Sequence, residues 1–104
     1  AGTSSVAGVW KVTVPAGTTK LHLHMAGWNG KTVKVKVEGA NADVTDWTLK
    51  SDTGVNNKSP FTLAKPGSDY YKVITLSNVT AATTLTFTAT SGYRFVVWGV
   101  NAEE

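Results

Sequence analysis

Hydrophobic and polar residues alternate with a period of two along most of the chain. From Thr32 to Glu38, valines at every second position alternate with threonine, lysine and glutamate. From Thr84 to Thr90, threonines alternate with leucine, phenylalanine and alanine. Alternation of this kind indicates β-strands with one buried face and one face in water.

The same alternation predicts about eight strands, separated by turns rich in glycine, proline and asparagine. Turn signals recur roughly every 8–12 residues, as in sandwiches and barrels. No stretch has the periodicity of a helix. The sequence therefore predicts an all-β, antiparallel β-sandwich that forms a single domain over residues 1–104. The predicted strands are Val6–Val14, Thr19–Ala26, Thr32–Glu38, a strand carrying Trp47 and Leu49, Phe61–Leu63, Tyr70–Ser77, Thr84–Thr90 and Tyr93–Val100.

The tryptophans fall into two groups. Trp10 and Trp47 are in phase with aliphatic strand residues, which predicts that both belong to the core. Trp98 lies in the last predicted strand, which is apolar in both phases. A strand of that kind is central in its sheet or has one face against a ligand. Trp98 is accordingly a core residue or one wall of a groove.

Loop positions follow from the strand count. If successive strands run antiparallel, the Trp28 turn, the 51–60 loop and the 78–82 loop lie at one end of the domain. The turn at 15–17 and the segment 65–71 then lie at the other end, and Tyr70, Tyr71 and Tyr93 cluster there. A miscount by one strand would overturn this grouping.

Composition narrows the class of protein. The 104 residues include no cysteine, which excludes disulfides, cysteine-bound zinc and a thiol nucleophile. Charged residues are only 16%, and threonine and asparagine are abundant, so we expect a secreted or extracellular protein. No apolar run is long enough to cross a membrane. The net charge of +3 is small, and we expect neither nucleic acid nor membrane as a partner.

Catalytic chemistry finds little support in the sequence. No serine lies in a Gly-x-Ser-x-Gly motif, and the acidic residues have no motif around them. We therefore predict a protein that is not an enzyme and has no cofactor. A structural calcium held by Asp43, Asp46 and Asp52 is the alternative to a metal-free domain, although their spacing is not that of an EF-hand.

His22 and His24 are two residues apart in the second predicted strand, so they share one of its faces. Three interpretations are open: exposed polar residues, ligand contacts through imidazole hydrogen bonds, or a metal site. Residues of the next strand, Lys34, Lys36 or Glu38, are the expected neighbours on that face. Lysines beside a metal would repel it, which disfavours the third interpretation.

Trp28 stands in a four-residue turn between two glycines, where a large side chain is hard to bury. Either the ring folds back over the edge of the core, or it is exposed. An exposed tryptophan on a rigid turn usually has a binding partner.

Two segments resemble known families of secreted proteins. The run from Val12 to Leu21 resembles small β-sandwich domains of bacterial enzymes, namely pre-peptidase C-terminal domains and several carbohydrate-binding modules. The segment from Gly92 to Val100 resembles the end of family 56 carbohydrate-binding modules, which accompany β-1,3-glucanases. The segment from Lys31 to Val37 departs from the pre-peptidase pattern, and this favours the carbohydrate-binding modules.

That resemblance implies a non-catalytic module that binds a polysaccharide, β-1,3-glucan in particular, and targets an attached glycoside hydrolase to it. The expected stacking platform is Trp28, and the other expected ligand-binding residues are His22, His24, Asn29, Lys31 and Trp98. The alternative is a protein-interaction or adhesion module, marked by a contiguous apolar patch on the last strand. A binder of anionic surfaces would instead use Lys11, Lys20, Lys34 and Lys36.

Overall fold

A computed structural model of the chain describes residues 1–3, 5–28, 30–39, 42–51 and 70–104. These residues form seven strands, and none of them forms a helix able to cross a membrane. The predicted all-β sandwich is confirmed, while the predicted strand Phe61–Leu63 lies outside the described residues. The strands are β1 (Val9–Val14), β2 (Lys20–Gly27), β3 (Val33–Glu38), β4 (Asp46–Leu49), β5 (Tyr71–Thr75), β6 (Thr83–Ser91) and β7 (Phe95–Glu103).

The strands form two antiparallel sheets. The four-stranded sheet has the order β1-β6-β3-β4, and the three-stranded sheet has the order β5-β2-β7. Among the described strands, only β3 and β4 are neighbours both in sequence and in a sheet. The turns that follow β1 and β2 therefore carry the chain from one sheet to the other, so residues of β2 have no β3 neighbour beside them.

Period-two alternation places one face of each sheet in a shared core. Phe87 in β6 and Phe95 in β7 are the largest fully buried side chains, and they are contributed by different sheets. The predicted core positions of Trp10 and Trp47 are confirmed, because both half-buried indoles pack against that core. Their ring centroids lie 5.1 Å and 6.0 Å from that of Phe87. The buried core cluster consists of Val14, Leu21, Leu23, Met25, Val33, Val35, Val37, Leu49, Ile74, Leu76, Val79, Leu85, Phe87, Ala89 and Phe95.

The predicted grouping of loops is wrong. The backbone N–H of Gly17 donates to the carbonyl of Val79 at 2.8 Å, although these two turns were expected at opposite ends. β4 ends and β5 begins beside the same end of β2, since Ser51 bridges to Gly27 and the N–H of Met25 donates to the carbonyl of Tyr70. The predicted grouping had placed Ser51 and Tyr70 at opposite ends of the domain. Tyr70 and Tyr71 consequently lie at the Trp28 end.

The last strand also differs from expectation. A strand that is apolar in both phases was expected to lie at the centre of a sheet or to have one face against a ligand. Within the described residues, β7 pairs with β2 on one side and ends the strand order. Beside its start, the N–H of Phe95 donates to the carbonyl of Ala1 at 3.1 Å. The central-strand interpretation is therefore wrong for the described sheet, and the character of the outward-facing residues of β7 needs another explanation.

Candidate functional site

The outer face of the three-stranded sheet carries the two histidines. β2 is the central strand, and its alternation buries Leu21, Leu23 and Met25 completely. His22 and His24 therefore point away from the core, where both are half-buried. Two imidazoles on a sheet face that is not fully solvated have neighbours on the adjacent strands.

A β-bulge in β7 brings Trp98 to this face. His24 pairs with Gly99, but the next residue of β2, Met25, pairs with Val97, so Trp98 is an extra residue between the two pairs. Because the bulge inserts one residue, the β7 residues on both sides of it still face the same way as the β2 residues with which they pair. The side chain of the inserted residue is redirected. Trp98 is half-buried, and its ring centroid lies 6.4 Å from that of His24.

β5 supplies an aromatic ring from the other side of β2. Tyr71 pairs with His24 in the register of the two strands. Its ring centroid lies 5.3 Å from that of His24, nearly edge-on, and 5.8 Å from that of His22. His22, His24, Tyr71 and Trp98 thus form a continuous surface across three strands, which we name the aromatic face.

Tyr70 supports this surface at its Trp98 end. Its ring centroid lies 6.3 Å from that of Trp98, and its hydroxyl donates to the backbone carbonyl of Ser51 at 3.1 Å. That hydrogen bond fixes the phenol relative to the end of β4. Trp98 therefore packs against a ring that is itself anchored, and this restricts the orientations open to the indole.

Polar contacts converge on His22. Its Nδ1 lies 2.5 Å from the Tyr71 hydroxyl oxygen, a hydrogen bond whose donor depends on the imidazole tautomer. Its Nε2 lies 3.4 Å from Oε1 of Glu103, within ion-pair range but longer than an ordinary hydrogen bond. The His22 side chain is 19% exposed and that of Glu103 is 49% exposed. Lys20 pairs with Glu103 in the strand register, so an acid and a base lie side by side at this end of the face.

His24 is harder to protonate than a solvent-exposed histidine. Burial lowers the pKa of its imidazole, and repulsion from a charge on His22 lowers it further. A neutral imidazole offers one hydrogen-bond donor and one acceptor. The centre of the aromatic face is therefore uncharged near neutral pH, between two aromatic rings.

Trp28 lies beyond the end of β2 and belongs to a different feature. Its backbone N–H donates to the carbonyl of Arg94 at 3.0 Å, and its half-buried side chain lines a cavity of about 250 Å³. Among the described residues, the others lining that cavity are Ala1, Gly2, Arg94, Phe95 and Val96. His22, His24 and Trp98 are not among them, so the structure brings together only part of the predicted set.

The other two predicted ligand-binding residues contribute less. The Lys31 side chain is exposed. The Lys31 carbonyl would clash with a Cβ at position 27, so this turn requires glycine there. Asn29 lies outside the described residues. Any role of Trp28, Asn29 and Lys31 in binding stays a prediction.

The neighbours predicted for the histidines are wrong. Lys34, Lys36 and Glu38 belong to β3 in the four-stranded sheet, because the turn after β2 crosses between sheets. The actual neighbours are Tyr71 and Trp98, from strands distant in sequence.

No cluster of three or more metal-ligating side chains occurs in the part of the chain that the structure describes. Of the three aspartates considered for calcium, Asp52 lies outside the described residues. An Asp43 oxygen accepts from the N–H of Thr75 at 3.0 Å, and an Asp46 oxygen accepts from the hydroxyl of Thr45 at 3.2 Å. Both are side-chain hydrogen bonds within the fold, and the first joins residues 32 positions apart in the sequence.

Sequence reasoning missed Tyr71 and Glu103 as members of the site. The alternation of β5 puts Tyr71 in phase with Val73 and opposite to the buried Ile74, which was the available signal for an outward ring. The predicted grouping of loops concealed it, because it placed Tyr71 at the wrong end of the sandwich. Glu103 follows the bulge, and its outward position depends on the extra residue at Trp98.

Comparison of the chain with known protein families, with curated proteins and with solved structures found no match. The geometry of the aromatic face and the chemistry of its side chains are therefore the basis for assigning a function.

Proposed function

We propose that the chain is a non-catalytic carbohydrate-binding domain and that a glycan binds on the aromatic face. The observation that carries the proposal is the row formed by Trp98, His24 and Tyr71, which crosses three adjacent strands with centroid distances of 6.4 and 5.3 Å. Adjacent strands are about 4.8 Å apart, so the row spans roughly two strand spacings.

The chemistry of a sugar suits this row. A pyranose has apolar C–H faces surrounded by hydroxyl groups. An aromatic ring on a rigid strand contacts the C–H face with little loss of conformational entropy, because it has only two rotatable side-chain angles. Neutral His24 and the Tyr71 hydroxyl, between and beside the rings, supply the few polar groups that orient such a ligand.

Charge on the face favours a neutral glycan. Lys20 and Glu103 are opposite each other in the register, and His24 is neutral near neutral pH. The resemblance of the segment Gly92–Val100 to modules of β-1,3-glucanases points to a β-glucan within that class. We further propose that the domain is secreted and holds an attached glycoside hydrolase at its polymer. Micromolar to millimolar affinity suffices there, because attachment raises the effective concentration.

The protein-interaction alternative has weaker support. Its expected mark was a contiguous exposed apolar patch on the last strand. Four large apolar side chains in the described part of the chain are strongly exposed, namely Val6, Val9, Tyr93 and Val100, and of these only Val100 lies on β7. A binder of anionic surfaces has less support still, since Lys20 lies in one sheet and the other three lysines named for it lie in the opposite sheet.

Affinity electrophoresis through gels containing soluble glucans tests the proposal. The wild type should be retarded by a β-glucan, and Trp98→Ala and Tyr71→Ala should each weaken binding about tenfold or more, equivalent to about 1.4 kcal/mol. Tyr93→Asn is the matched control. It removes an aromatic ring that is 47% exposed, at a backbone φ of 65° that asparagine tolerates, and it should bind like the wild type.

Two outcomes contradict the proposal. No retardation by any glucan in a panel of linkages would reject carbohydrate binding of this class. Retardation that survives in Trp98→Ala and Tyr71→Ala but is lost in Trp28→Ala would place the site at the Trp28 cavity and reject the aromatic face.

A further inference from the structure

We propose that Glu103 and His22 together set the direction of the Tyr71 hydroxyl hydrogen, and that protonation of His22 reverses it. His22 is then a positioning residue for the site, acting through Tyr71. The proposal rests on the proposed function for its effect on ligands, while the hydrogen-bond arrangement itself is independent of any ligand.

The tautomer follows from the two groups that face His22. The Glu103 carboxylate lies 3.4 Å from Nε2, and a lone pair on that nitrogen would repel the anion. A hydrogen on Nε2 is attracted by it, and such a partner fixes the tautomer of a histidine. In neutral His22, Nδ1 therefore carries the lone pair and accepts the Tyr71 hydroxyl hydrogen across 2.5 Å.

The consequence lies at the Tyr71 oxygen. While its hydrogen points at His22, the oxygen has only lone pairs for a ligand and accepts from a sugar hydroxyl. When His22 takes up a proton, both of its nitrogens are donors. Nδ1–H then donates to the Tyr71 oxygen, and the hydroxyl hydrogen turns outward to donate to the ligand.

Besides Glu103 and Tyr71, the strand register gives His22 few ionisable neighbours. On its own strand the ionisable neighbours in the same phase are Lys20 and His24, and the residues paired with it on β5 and β7 are the neutral Val73 and Asn101. Lys20 lies opposite Glu103 in the strand register. A charge on His22 opposes one on His24 and is, after burial, the second cause that lowers the pKa of the His24 imidazole.

The reversal lets the proposed site distinguish a sugar group that only accepts hydrogen bonds from one that both donates and accepts. A neutral glucan hydroxyl both donates and accepts, so it satisfies Tyr71 in either state. The carboxylate of a uronic acid only accepts, so it pairs with Tyr71 only after the hydrogen has turned outward. We therefore expect acidification to raise the preference for a polyuronate over a neutral glucan.

Nitrogen NMR of the histidine ring tests the tautomer in the free protein. At pH about 8, wild-type His22 should show protonated Nε2 and unprotonated Nδ1. Glu103→Gln should mix the tautomers, while Glu104→Gln, the adjacent carboxylate outside the pair, should leave the wild-type pattern. Protonated Nδ1 in the wild type, or identical spectra of the two variants, would overturn the proposal.

Affinity electrophoresis with a soluble polyuronate and a neutral β-1,3-glucan tests the effect on ligands. Between pH about 8 and 5.5 the preference of the wild type for the polyuronate should rise roughly 3- to 10-fold, the value of one hydrogen bond. Tyr71→Phe keeps the imidazole and its charge but removes the hydroxyl, so its rise should be smaller than that of the wild type. A rise of equal size in Tyr71→Phe would overturn the role of Tyr71. Failure of every polysaccharide to bind would reject the proposed function. The NMR experiment would still test the hydrogen-bond arrangement of Glu103, His22 and Tyr71.

Discussion

Each of the two sheets has a bulge on one strand, and the two bulges present opposite chemistry. In the four-stranded sheet, Lys34 pairs with Ser91 and Val35 with Ala89, so Thr90 is the extra residue. Its hydroxyl donates to the carbonyl of Lys34 at 3.3 Å, within its own sheet. In the three-stranded sheet the extra residue is Trp98, whose ring lies beside those of His24 and Tyr70.

The rest of the two outer faces repeats this contrast. The outer face of the four-stranded sheet carries threonines of β6 between lysines of β1 and β3, and the hydroxyls of Thr13 and Thr84 lie 2.9 Å apart. These side chains satisfy one another or water. The outer face of the three-stranded sheet carries rings that water solvates poorly. Both sheets bury the same kind of aliphatic face, so the difference between them is confined to the side that folding does not constrain.

The largest expected effect concerns the core that both sheets share. Phe87→Ala removes a fully buried ring that contacts Trp10 and Trp47, and it should lower the free energy of unfolding by about 3–5 kcal/mol. Thr86→Ala, one residue away on the outer face, should change it by less than about 0.5 kcal/mol. Urea denaturation measures both. Equal losses in the two variants would contradict the assignment of inner and outer faces.

A deletion of Trp98 separates folding from binding. Without the extra residue, Val97 still pairs with Met25 and Gly99 with His24, so the inward and outward positions of β7 are preserved. We expect a folded protein, less stable by about 1–2 kcal/mol, that no longer binds glucan. Deleting His24 from the central strand is the control, because it turns one half of β2 inside out and should prevent folding. A ΔTrp98 protein that fails to fold would show that the ring is a structural requirement.

The contrast between the sheets also explains what the sequence predicted and what it did not. Alternation predicted the core and the seven described strands, because burial on one face imposes a period of two on every strand. It did not predict which strands are neighbours, since no local pattern distinguishes a turn within a sheet from one between sheets. His22 was therefore matched with Lys34 and Lys36, whereas Tyr71, 49 positions away, is its partner.

The smallest expected effect is a dependence of stability on pH that originates in the aromatic face. Burial first, and charge on His22 second, lower the pKa of His24 below its ordinary value of 6.5. The unfolded chain then binds the proton more readily than the folded one, so stability is lost as the pH falls through about 6.5 and levels off below the folded pKa.

Because His24 is partly solvated, the loss in Tm between pH 8 and 5.5 should be only roughly 1–2 °C. His24→Gln should remove this part of the pH dependence, and His22→Gln should reduce it by removing the second cause. Thr86→Ala, on the face without imidazoles in the described strands, should keep the wild-type dependence. Calorimetric melting curves for the four proteins decide the matter. Parallel pH profiles for the wild type and His24→Gln would mean that the centre of the aromatic face is as well solvated as the outer face of the four-stranded sheet. The contrast between the two sheets would then be limited to Trp98 and Tyr71.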